Sequence, residues 1–214
     1  MRGIATGDND FFFMTRARAT DLGIPDEFLL PAIGRTRDLI GDGDEVTTET
    51  LQELESAGRP NLLFAPDGRA LRDFPDAVRE YLEEGKSRGV AGRILIMQRN
   101  PWYKMEVRKP PAFLFAYLGR RSARFIRNRA GVVPLTGFLC VYPKHDDPEF
   151  VERLASVLAD PRTVANLARV GKSYGDGAIK VEPRSLDRLP LPLPAMEHHC
   201  LERETNGQGI LLEV

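Results

Sequence analysis

Nine cationic side chains fall between positions 99 and 129: Arg99, Lys104, Arg108, Lys109, Arg120, Arg121, Arg124, Arg127 and Arg129. Glu106 is the one acid among them, and Trp102, Tyr103 and Tyr117 are interleaved. Lysine and arginine neutralise phosphates, and the arginine fork matches the edge of guanine. Aromatic rings wedge between bases or stack on them. The mixture points to nucleic acid. Residues 1–90 carry a net charge of −7, residues 91–144 of +10 and residues 145–214 of −4, within a total of −1 over 214 residues. A cationic middle kept apart from acidic flanks suggests a polyanionic partner. The competing reading is a solvated surface whose cations pair with those flanks.

Other spacings that suggest chemistry fail on geometry. Gly171-Lys172-Ser173 looks like the end of a phosphate loop, but that loop needs glycine where Asn166 stands. Gly41-Asp42-Gly43 opens like a dinucleotide fingerprint, yet its sixth position is Val46. His198-His199-Cys200 has no second Cys/His pair at zinc spacing, so no metal site is expected. No Gly-x-Ser-x-Gly elbow occurs, and three histidines leave little material for a triad. The chain offers no convincing reaction centre.

The elements that must carry the basic block follow from pattern. Phe11–Met14 reads as a short aromatic strand after a turn. Gly23-Ile24-Pro25 starts a loop or short helix. Residues 46–57 read as a helix capped by Thr47 or Thr48, and 61–64 as a buried strand. Residues 75–89 are a second helix with Val78, Tyr81 and Leu82 on one side. Strands are expected at 93–98, 112–118 and 124–129, and at 132–142 with a break at Pro134. In the third of these, alternation puts Arg124 with Ile126 and Asn128, and Phe125 with Arg127 and Arg129. Asp147-Pro148 and Pro161 each start a helix. Residues 171–181 form a Gly-rich loop entering a strand, Pro183–Leu189 one helical turn, and Leu189–Pro194 an extended run.

Composition bounds the class. Hydrophobic residues at 42% and charged residues at 29% exclude a disordered, collagen-like or coiled-coil chain. Cys140 and Cys200 make no disulfide framework, and the first ten residues lack an apolar secretory core. No run approaches the roughly 18 apolar residues of a membrane helix. A cytoplasmic location without a membrane is expected.

Three blocks together resemble a known region. Gly3-Ile4-Ala5-Thr6-Gly7-Asp8-Asn9-Asp10-Phe11-Phe12 is similar to the Gly-x-x-Thr-Gly-x-Asn-x-x-Phe opening of the C-terminal target-recognition region in TaqI-like adenine-specific DNA methyltransferases. Trp102-Tyr103 with the basic residues after it, then Pro111 through Arg120-Arg121, resembles the next block. Tyr174-Gly175-Asp176-Gly177-Ala178-Ile179-Lys180, followed by Pro183, Leu186 and Leu189-Pro190-Leu191-Pro192, resembles the closing signature, with Asp176 where the family usually shows Gly. The likeness spans roughly residues 2–194.

That resemblance implies an α+β fold with a mixed sheet and several flanking helices, and no complete Rossmann methyltransferase domain. It implies a recognition core over 1–145, a helical segment with a closing strand over 146–196, and a tail over 197–214. The catalytic loop of such enzymes reads Asn-Pro-Pro-aromatic. Asn100-Pro101-Trp102-Tyr103 departs from it, since Trp102 lacks the fixed φ that stiffens the loop. The expected function is sequence-specific DNA recognition within a restriction-modification or related phage-defence system, without methyl transfer by this chain alone. S-adenosylmethionine would sit on a separate catalytic domain or subunit, and a flipped adenine would enter that partner's pocket. The expected partners are that domain and double-stranded DNA. DNA-binding candidates are Asn9, Arg99, Trp102, Tyr103, Lys104, Arg108, Lys109, Arg120, Arg121, Arg124, Arg127, Arg129, Lys172 and Tyr174. The alternative is an interaction subunit that binds a methyltransferase without touching DNA.

Overall fold

Turn chemistry and alternation account for most of the elements. The computed structural model describes residues 1–39, 44–117, 123–173, 179–199 and 212–213, with the backbone alone at 173, 179, 180, 212 and 213. The first part holds helix α1 (Asn9–Phe12), strand β1 (Phe13–Met14), helix α2 (Arg16–Asp21), strand β2 (Leu29–Ile33), strand β3 (Glu45–Val46), helix α3 (Thr48–Ser56), strand β4 (Leu62–Phe64) and helix α4 (Asp76–Ser87). Then come β5 (Phe113–Ala116), β6 (Arg124–Asn128), β7 (Val133–Pro134) and β8 (Phe138–Pro143). Helices α5 (Pro148–Ala159) and α6 (Pro161–Val170) follow. The chain ends with β9 (Lys172–Ser173), β10 (Ile179–Lys180), α7 (Pro183–Leu186), α8 (Leu193–His198) and β11 (Leu212–Glu213).

Two mixed sheets carry the core. One runs β1-β4-β2-β7, antiparallel except for the parallel pair β2–β7. The other runs β11-β8-β5-β6-β3, antiparallel except for β3–β6. Among the described residues, strands β9 and β10 pair only with each other. This is an α+β fold, not the doubly wound parallel sheet of a Rossmann domain. Strand β5 is buried on both faces. Its Phe113 and Phe115 pack with Val151, Leu154, Val157 and Leu158 of α5, while Leu114 and Ala116 meet Val46, Leu54 and Phe138. A separate core joins Phe11, Phe12, Phe64, Tyr81 and Leu82 around the smaller sheet. Among the described residues no helix is long and apolar enough to cross a membrane.

Three sequence expectations are corrected, and one helix, α2, was not foreseen. Residues 93–98 form turns instead of a strand. Ile94, Leu95 and Met97 are apolar yet exposed, so the run mimics a strand without a sheet to join. Phe11 and Phe12 lie in a helical turn because Asp8 caps it, its side chain accepting from the Phe11 amide at 3.2 Å. Helix α2 has one buried residue, Ala19, and gives no apolar stripe to read. The expected extended run ends inside α8, whose first turn takes Pro194 where no amide donor is needed.

Candidate functional site

The basic block divides into three parts. In the first, Arg99 turns inward. Its Nη2 donates to the carbonyls of Ala5 and Thr6, both at 2.8 Å, and its guanidinium lies 5.4 Å from the Phe12 ring centre. Burial lowers its proton affinity below the usual arginine value. Trp102 packs 6.0 Å from Phe11, in space left by Gly85 of α4. Tyr103 is buried and donates its hydroxyl to the Arg69 carbonyl at 2.7 Å. Arg99 and Tyr103 therefore serve as framework groups. The Asn100-Pro101-Trp102-Tyr103 run likewise spends its rings on the core.

The second part lies on β6 and obeys the expected alternation. Ile126 and Asn128 face one layer, and Phe125 and Arg127 the other. Arg124 pairs with Asp44 at 3.1 Å and donates to the Leu39 carbonyl at 3.2 Å. Arg127 pairs with Glu152 at 3.2 Å and donates to the Ala112 carbonyl at 2.9 Å. Arg129 bridges Glu45 and Glu152, both at 2.9 Å. These acids come from the flanking blocks: β3 and its approach on one side, α5 on the other. An open depression of about 400 Å³ lies here, lined by Phe113, Phe125, Arg127, Arg129, Glu45 and Glu152 among others. The expectation of a cationic block held apart from the acidic flanks is thus corrected on β6. Strand pairing of β3 with β6, and packing of α5 across it, bring the opposite charges together.

The third part is the rest of the block, with Lys172 and Asn9 beside it. Arg108 pairs with Glu106 at 2.5 Å and donates to the Arg2 carbonyl at 2.6 Å, and Lys109 pairs with Asp146 at 2.5 Å. Lys104 and Lys172 are exposed and form no ion pair among the described residues. Asn9 is exposed, its Oδ1 accepting from the Thr6 hydroxyl at 2.5 Å. Arg120, Arg121 and Tyr174 lie outside the described residues. Sequence reading missed Asp44, Glu45 and Glu152 as the partners of β6. Their only signal was that acids on a neighbouring strand and helix had to land somewhere.

The Arg127–Arg129–Glu152 cluster has a pH signature. Hydrogen bonding from Arg129 in the first place holds the Glu152 carboxyl below its ordinary 4.5. A depressed folded value means the stabilisation is complete above the ordinary value and fades as pH falls through the folded one. Glu152 is half exposed, so the effect is below about 1 kcal/mol after solvent screening. Acid unfolding followed by circular dichroism should therefore steepen below about pH 4.5 in the wild type more than in Glu152→Gln. Parallel curves would mean that the pairs contribute nothing.

With that geometry in hand, comparison with known proteins gives the family. Residues 1–207 match the family described as Type II methyltransferase M.Eco57I, C-terminal domain. The chain belongs to that family. Type II methyltransferase M.AccI of Acinetobacter calcoaceticus is 28% identical over 193 residues, covering 88% of this chain and 34% of that protein. Type II methyltransferase M.XamI of Xanthomonas campestris pv. amaranthicola is 24% identical over 192 residues, covering 89% of this chain and 34% of that protein. The chain thus spans about a third of the length of these relatives. Within this member of the M.Eco57I C-terminal domain family, the opening block is built as a lock. Gly3 and Ile4 donate to the Phe138 and Pro134 carbonyls at 3.0 and 2.8 Å. Gly7 takes a left-handed φ of 77° beneath the Ile96 side chain, where a Cβ would come within 2.6 Å. Thr6 accepts from the Asp8 amide at 3.2 Å, closing the turn that starts α1.

Proposed function

We propose that the chain is the target-recognition part of an adenine-specific DNA methyltransferase of restriction-modification type. It holds duplex DNA while a separate catalytic portion, carrying S-adenosylmethionine, methylates a flipped base. The observation that carries this reading is membership of a methyltransferase C-terminal domain family over residues 1–207. The fold supports it, because two mixed sheets without a doubly wound core suit recognition better than cofactor chemistry. Lys104 and Lys172, with Arg120 and Arg121, are the cations assigned to phosphates. The arginines on β6 already pair with Asp44, Glu45 and Glu152, which neutralises part of their charge.

Duplex binding should fall steeply with salt. Neutralising about 5 phosphates gives a slope of log K against log salt of about −4 to −5. Fluorescence anisotropy between 50 and 200 mM salt, on the order of the range where such contacts are lost, reads it directly. Reversing Lys104, Arg120 and Arg121 to Glu should abolish binding with the fold intact. A slope near zero would overturn the electrostatic basis. The isolated chain should transfer no methyl group from S-adenosylmethionine.

A second reading is favoured by one observation, the pairing of Arg124, Arg127 and Arg129 with acids of the flanks. In it the chain binds only a methyltransferase partner. Association with that partner without any duplex shift would select it.

A further inference from the structure

Three large apolar side chains stand in water along the turns of residues 93–100. Ile94 is 76% exposed, Leu95 51% and Met97 61%. The segment is braced at both ends. Arg93 pairs with the buried Asp8 at 3.0 Å. The amides of Ile96 and Met97 both donate to the Arg93 carbonyl at 2.9 Å. Ile96 is fully buried on Gly7, and Arg99 grips the Ala5 and Thr6 carbonyls. One apolar side chain is thus used as an anchor, and its three neighbours are held outward. Neighbouring exposed apolar side chains on a fixed backbone mark an interaction site.

We propose that this turn docks on the catalytic portion of the methyltransferase. The inference rests on the family reading above and not on DNA contact. Two observations choose the occupant. Residues 1–207 match a family described as a C-terminal domain, and M.AccI is covered over only 34% of its length. A C-terminal domain is preceded in its protein by another portion, which approaches it from the N-terminal side. The turn is fastened to residues 5–8, on the N-terminal side of the matched region. Its chemistry agrees, since apolar and Met side chains with no charge among Ile94–Gln98 suit the dry centre of a protein interface, not a phosphate rail.

The test joins this full chain to the part of M.AccI outside the matched third, and compares it with the chain alone. Amide hydrogen exchange of residues 94–99 should slow at least tenfold in the joined protein. A variant carrying Ile94→Ser, Leu95→Ser and Met97→Ser should lose that slowing, while the variant chain alone keeps its Tm and duplex affinity. Unchanged exchange in the joined protein overturns the proposal, as does slowing that survives the triple substitution. Loss of duplex affinity in the variant chain would assign the turn to DNA instead. Conversion of a dimer to a monomer by the triple substitution would assign it to a second copy. If the chain alone fails to bind duplex while the turn is still protected in the joined protein, the DNA reading falls and this one stands.

Discussion

Replacing Asn128 with Asp is expected to lower Tm by roughly 10–15 °C at pH 7. Asn128 closes β6 and is 7% exposed. Its Nδ2 donates to the Pro111 and Val132 carbonyls at 2.8 and 2.9 Å, and its Oδ1 accepts from the Val132 amide at 3.0 Å. The side chain therefore ties three pieces together: the approach to β5, the end of β6 and the turn through Gly131 into β7. Aspartate keeps the acceptor and loses both donors. It sets a carboxylate oxygen against two carbonyls out of water, at a cost of about 3–5 kcal/mol. That is a large share of the roughly 5–15 kcal/mol that holds a domain folded.

Two comparisons isolate the cause. Asn128→Ala loses the same hydrogen bonds without adding charge, and should cost about 2–3 kcal/mol at any pH. In Asn128→Asp, burial and the facing carbonyls push the new carboxyl above the ordinary value of about 3.9. A group whose folded value is raised binds a proton more tightly when folded, so the variant regains stability as pH falls through that value. Thermal melts at pH 7 and pH 4.5 read both effects. A melt of Asn128→Asp within about 2 °C of wild type at pH 7 would mean that the turn does not depend on this side chain.

Much of this fold was legible because local rules and packing agree. Asp147-Pro148 and Asp160-Pro161 are cap-and-proline pairs, and each starts its helix where the sequence predicts, with Asp147 and Asp160 accepting from the Phe150 and Arg162 amides. Strand β6 keeps its alternation because both faces are covered. The misread turn at 93–98 has the opposite logic. Periodicity reports which residues are apolar, not whether anything covers them, and Ile94, Leu95 and Met97 are left exposed. The cationic block was legible as composition and misleading as a surface. Its charges were counted along the chain, whereas β3 and α5 bring Glu45 and Glu152 to Arg129 through space. The opening block was legible by resemblance, but only the structure gives Gly3 its reason.

That reason makes Gly3→Ala the other large effect, a Tm lower by roughly 6–12 °C. A Cβ at Gly3 would lie 2.2 Å from the Leu135 carbonyl oxygen and 2.5 Å from that of Pro134. Both are backbone atoms, so no rotamer relieves the clash. The segment must move away from β7 and β8. Doing so loosens the bonds from Gly3 to Phe138 and from Ile4 to Pro134, at 3.0 and 2.8 Å, and the bond from the Cys140 amide to the Met1 carbonyl at 2.7 Å. Overpacking costs about 1–3 kcal/mol and each weakened hydrogen bond about 1 kcal/mol, which sets the expected loss near 3 kcal/mol. Gly92→Ala is the matched control. Its Cβ would meet nothing within 4 Å, so Tm should hold or rise slightly. The damage should also travel. Residues 5–8 carry the anchors of the exposed apolar turn, so Gly3→Ala should speed amide exchange at 93–99 while Gly92→Ala does not. Equal melts for the two variants would mean that residues 1–4 are not locked between β7 and β8, and would remove the support beneath the turn as well.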